Sequence, residues 1–182
     1  AKKTEFTLEQ WGGMKGSGNY KVGGLPHCII DGKRFQETTP MLRLLGMRCG
    51  LYMGMPSPAS CIQNDKLMEE LNTLLGGSNA YFFNPEAPQS AVDAWMEKAR
   101  PIFMAIEEKM KAENWCHVAG NCPLPADFQV LSYYTTFVKN DTRPPNFKPM
   151  YDEWDKVFDN CPMVKASCEK LCMNPGVAEF LA

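Results

Sequence analysis

The side chains with the most chemistry to offer are eight cysteines, at positions 28, 49, 61, 116, 122, 161, 168 and 172, and two histidines, His27 and His117. Two groupings invite a metal ion: Cys116-His117 with Cys122, and Cys161 with Cys168 and Cys172. Neither contains a Cys-x-x-Cys pair, and a structural zinc needs four converging ligands. They therefore read as small apolar side chains, and no metal is expected. A redox role would need a thiol of depressed pKa at a helix N-terminus. Cys161, immediately before Pro162, is the nearest candidate.

Composition narrows the classes further. The chain has 182 residues, with 19 Lys plus Arg against 21 Asp plus Glu, a net charge of −2. That balance gives no electrostatic reason to bind nucleic acid or an anionic membrane surface. Hydrophobic residues at 45% and charged residues at 22% suit a globular protein with a buried core. No apolar run approaches the roughly 20 residues that span a bilayer. Ala1-Lys2-Lys3-Thr4-Glu5 lacks the apolar core of a secretory signal. The cysteines are thus expected as free thiols in a reducing, cytoplasmic compartment.

The elements that must carry these residues change character along the chain. Glu5 to Leu8 reads as the end of a strand, and residues 12–24, with six glycines, as a loop. His27 to Ile30 is a short apolar strand. Asp31-Gly32 is the strongest two-residue hairpin signal, and Lys33 to Gln36 returns. Thr38 or Thr39 can cap a helix, Pro40 lies early in its first turn, and Gly50 stops it. After Gly54-Met55-Pro56-Ser57-Pro58 everything reads as helical. The spacing predicts helices over 65–75, over 90–112 with a kink or break at Pro101, and over 126–139. Shorter ones surround Tyr151–Phe158 and Val164–Cys172, the last ended by Asn174-Pro175-Gly176. The organisation is a small α/β lobe over residues 1–52, a linker at 53–58 and an all-helical domain over 59–182.

Gly24-Leu25-Pro26-His27 through Asp31-Gly32 to Gln36-Glu37-Thr38 resembles the glutathione-binding core of cytosolic glutathione S-transferases. Trp11-Gly12-Gly13-Met14-Lys15 resembles the Trp-x-x-x-Lys of sigma-like members. Arg43 matches the family's third helix, Ala126-Asp127-Phe128 the opening of its core helix, and Asn174-Pro175 to Leu181 its closing segment. The resemblance implies an incomplete thioredoxin-like lobe followed by a helical bundle. It also implies roles. Glu37 and Thr38 would hold the γ-glutamyl end of glutathione, where free N–H groups and partial positive charge favour a carboxylate. Pro26 would be the cis-proline that presents the Leu25 backbone to the peptide. Lys15 would meet the glycyl carboxylate, and Trp11 would wall that end. Each has a plain alternative: an N-cap for Thr38, a strand start for Pro26, a solvated loop lysine, a core tryptophan. Tyr133, Tyr134, Phe137 and Met104 would line an acceptor pocket or, as their helical spacing favours, pack the core.

Two departures from the family pattern stand out. The hydroxyl that usually caps the core helix is replaced in Leu124-Pro125-Ala126-Asp127, a loss worth on the order of 1 kcal/mol. The catalytic Tyr, Ser or Cys of the family lies on a first strand that precedes the Trp-x-x-x-Lys loop, and only ten residues precede Trp11. No residue is assignable to thiol activation; Tyr20, in the glycine-rich stretch, has nothing to recommend it. The expectation is an N-terminal extension in the native protein, with a partner-supplied strand or a new path for residues 1–25 as alternatives. If the native chain has that first strand with its catalytic residue, the function implied is conjugation of glutathione to a hydrophobic electrophile, by a homodimer. The alternative is a non-catalytic structural or scaffold subunit of a larger assembly that retains the fold.

Overall fold

The computed structural model describes residues 8–16, 27–53, 57–82, 89–143 and 147–181. The chain divides into two compact units, Ala1–Met41 and Leu42–Ala182, taken separately below. The expected strand ending at Leu8 lies outside the described residues, except that Leu8 itself begins a helix.

In the first unit, α1 spans Leu8–Gly16. The loop expected over 12–24 is therefore corrected for residues 12–16, which are helical. Each glycine costs a helix about 1 kcal/mol, and composition counted only that cost. Leu8, Gln10, Met14 and Lys15 are good helix formers, and Glu9 places negative charge in the first turn, where the helix dipole favours it. β1 (His27–Ile30) and β2 (Lys33–Gln36) form an antiparallel hairpin pairing His27 with Gln36 and Ile30 with Lys33. The turn residues Asp31 and Gly32 sit at φ +52° and +73°, the left-handed pair that matches the twist of the strands.

α2 runs Thr38–Arg48 across the division between the units. In the second unit follow α3 (Pro58–Phe82), α4 (Gln89–Glu113) and α5 (Pro125–Tyr133). A π-helical turn covers Tyr134–Val138, and α6 (Lys148–Asp159), α7 (Pro162–Cys172) and α8 (Pro175–Leu181) complete it. α4 passes through Pro101 without the break that the sequence allowed. Pro101 deprives the Glu97 carbonyl of its donor, but both residues are on the exposed side, open to water. Val92, Trp95, Met96 and Ala99 before the proline and Phe103, Ile106 and Met110 after it are all buried, which holds both halves on one core.

The helix expected over 126–139 changes pitch after Tyr133. The Thr135 hydroxyl donates to the Leu131 and Ser132 carbonyls at 3.0 and 3.4 Å, and the Lys139 N–H reaches back five residues to Tyr134 at 2.9 Å. Hydroxyl back-bonding of this kind loosens the regular ladder. The centre of the unit is aromatic. Trp154 stacks on Phe137 at 5.1 Å and meets Trp95, Phe103 and Tyr133 at 5.2–5.4 Å. Tyr133, Tyr134 and Phe137 are core residues, as their spacing favoured, while Met104 is 41% exposed. Among the described residues, no helix is long and apolar enough to cross a membrane.

Candidate functional site

The hairpin delivers the chain to Glu37, which adopts φ +71°. A glutamate has no steric liking for that conformation, which costs about 1–3 kcal/mol. The Glu37 carbonyl accepts the Met41 N–H at 3.2 Å. Glu37, rather than Thr38 or Thr39, is thus the residue from which α2 departs, and Thr38 is the first helical residue. Pro40 has no N–H, so the open donors of this terminus are those of Thr38 and Thr39. Thr38 is half-buried and Glu37 exposed. The Cys28 thiol donates to the Met41 sulfur at 3.1 Å, tying β1 to the first turn of α2.

Glu37 and Thr38 are consecutive and sit together at this terminus. Leu25, Pro26 and Tyr20 lie outside the described residues. Trp11 and Lys15 are four residues apart on α1, one helical turn, and their side chains are outside the description. Thr39 follows Thr38 in the same turn. It is 4% exposed, and its hydroxyl has no hydrogen-bond partner among the described residues.

The helical unit offers two further constellations. Ser167 Oγ lies 3.2 Å from His117 Nδ1, and Asp127 Oδ1 lies 3.6 Å from that same nitrogen. A serine nucleophile and an orienting carboxylate must engage opposite ring nitrogens. Here they share one, and all three residues are buried. The cluster is structural: Asp127 also accepts the N–H groups of Val118 and Leu124 at 2.8 and 2.9 Å. Between α3 and α4 lies a groove of about 610 Å³, floored by Leu74, Trp95 and Ile102 and rimmed by Glu69, Glu70 and Lys98. None of the predicted site residues lines it.

The redox candidate is corrected. Cys161 does precede α7, but it is fully buried. Burial first, and the Glu107 carboxylate second, push its thiol up to about 11. A reactive cysteine needs the opposite shift. Among the described residues, no three His, Cys, Asp or Glu side chains converge as a metal site requires.

No protein-family profile matches the chain, and no curated protein matches it. Solved structures do. NaGST-2 superposes with a TM-score of 0.73 at 15% identity, over 97% of this chain and 80% of its own. Na-GST-3, a monomeric glutathione S-transferase from the hookworm Necator americanus, gives 0.73 at 16% identity, over 99% and 82%. Such low identity with such full coverage speaks to architecture, and the chain is built on the glutathione S-transferase fold.

Proposed function

We propose that this chain binds glutathione and belongs to a transferase that conjugates the tripeptide's thiolate to a hydrophobic electrophile. The observation that carries the reading is the strained Glu37 leading into Thr38 at the open N-terminus of α2. The γ-glutamyl carboxylate would take the Thr38 N–H and hydroxyl, with the helix dipole in its favour. The Glu37 carboxylate would pair with the ligand's amine. Lys15 would meet the glycyl carboxylate beside Trp11, and Leu25, turned by Pro26, would pair with the peptide backbone as an added strand. No thiol-activating residue is assigned. A small lobe over 1–52 joined through 53–58 to a helical domain over 59–182, a homodimeric state and a cytoplasmic location complete the reading.

The test is retention on immobilised glutathione. Thr38→Ala and Lys15→Ala should each weaken binding about tenfold, the equivalent of about 1.4 kcal/mol. Unchanged retention in both variants removes the site assignment. Failure of the wild-type chain to bind at all favours the non-catalytic scaffold reading.

A further inference from the structure

The segment between α4 and α5 closes on itself. His117 and Gly120 exchange both backbone hydrogen bonds, at 3.0 and 3.3 Å, around the two-residue turn Val118-Ala119. A cysteine stands on each side of this bridge. The Cys116 N–H donates to Asn121 Oδ1 at 3.3 Å, and the Cys116 thiol lies 3.5 Å from the Asn121 carbonyl oxygen. That carbonyl belongs to the peptide bond leading into Cys122. The Cys116 sulfur therefore rests against the peptide group that leads into Cys122. Both are free thiols, Cys116 exposed and Cys122 half-buried.

We propose that Cys116 and Cys122 form a reversible intramolecular disulfide, an oxidative modification site that clasps the segment leading into α5. The oxidant is a low-molecular-weight disulfide. The exposed Cys116 thiolate attacks one of its sulfurs, forming a mixed disulfide and releasing one small thiolate. The Cys122 thiolate then attacks the Cys116 sulfur, forming the internal bond and releasing the second. The two protein thiols lose two protons and two electrons, and the small disulfide takes up both electrons. The clasped loop carries His117 and Val118, which join it to Ser167 and Asp127. Oxidation thus stabilises the fold that holds these contacts, by constraining the unfolded chain.

The sequence makes this readable without ambiguity. Trypsin cleaves after Lys111 and Lys139, so one peptide carries both cysteines and no other. The folded full chain is incubated with excess 2-hydroxyethyl disulfide, quenched in acid and digested without reductant. The expected product is that peptide lighter by two hydrogens, from a protein whose melting temperature has risen by several degrees. Cys122→Ser should stop at the mixed disulfide on Cys116, and Cys116→Ser should yield no internal bond. Cys49→Ser should behave as wild type. The proposal is overturned if both thiols survive unmodified, if wild type ends with stable mixed disulfides at both positions, or if either cysteine pairs elsewhere.

Discussion

The side-chain oxygen of Asn64 on α3 accepts the backbone N–H of Ala126 in the first turn of α5, at 2.9 Å, across 62 residues of sequence. Leu124 stands where a hydroxyl would cap that helix, and Pro125 follows at its first position. α7 repeats the arrangement: Cys161 at the cap, Pro162 at the first position, and Glu107 Oε2 on α4 accepting the Met163 and Val164 N–H groups at 2.9 and 3.1 Å. Neither N-cap side chain caps its own helix; α5 keeps the bond from the Leu124 N–H to Asp127 Oδ2, and both helices receive a further acceptor from a neighbouring helix, so packing and helix initiation become one interaction.

Removing either donated cap should therefore cost more than a surface substitution. Asn64→Ala should lose about 1–2 kcal/mol. Glu107→Ala should lose about 2–3 kcal/mol, because the buried Val164 N–H and the half-buried Met163 N–H then lose their acceptor. Glu107→Gln keeps an acceptor and should lose less. Urea midpoints at constant slope measure all three, and a loss below 0.5 kcal/mol for Asn64→Ala would show that the α5 cap is dispensable.

Glu37 separates a binding role from a structural one. Glu37→Gly relieves a left-handed glutamate while adding freedom to the unfolded chain, for a net gain of about 0.5–1 kcal/mol. The same change removes the carboxylate that the proposed function pairs with the ligand's amine. Stability should rise and glutathione retention should fall. A variant that is both more stable and equally well retained would remove Glu37 from the site.

Alkaline stability should report the buried thiols and phenols. The Cys161 thiol is pushed up to about 11 and the Tyr134 phenol to about 12, in each case mainly by burial. Above the ordinary thiol value the unfolded chain loses its proton while the folded thiol keeps it. The folded form then binds more protons, and stability falls as pH rises from about 9 toward 11. Cys161→Ala should flatten this decline by up to about 1.4 kcal/mol per pH unit. Denaturant titrations at pH 8, 9 and 10 provide the comparison.

Trp154 tests how the aromatic core is held. Its indole N–H has no partner among the described residues, although the side chain is fully buried. Trp154→Phe removes that unpaired donor along with some volume, so the two effects oppose and the cost should stay below about 2 kcal/mol. Trp154→Ala empties the centre of the cluster and should cost about 3–5 kcal/mol. Equal losses for the two variants, by thermal or urea unfolding, would indicate an indole hydrogen bond that matters.

The sequence by itself determined what depends on neighbours along the chain. Asp31-Gly32 can make little but a tight turn, so the hairpin was legible from residues 27–36, and a helix after it was legible too, although its start moved from Thr38 or Thr39 to Glu37. The steps of three and four from Val92 to Met110 could bury one face only as a helix. What the tertiary structure decided depends on groups far apart in the chain. Pro101 did not break α4, because apolar residues on both sides of it are anchored in one core. Cys161 became an unreactive thiol, because the fold buries it and, second, because Glu107, 54 positions earlier, faces it. Leu124 and Cys161 needed no hydroxyl, because Asn64 and Glu107 supply the acceptors. A cap is a hydrogen bond, and periodicity along the chain cannot say which distant side chain will accept it.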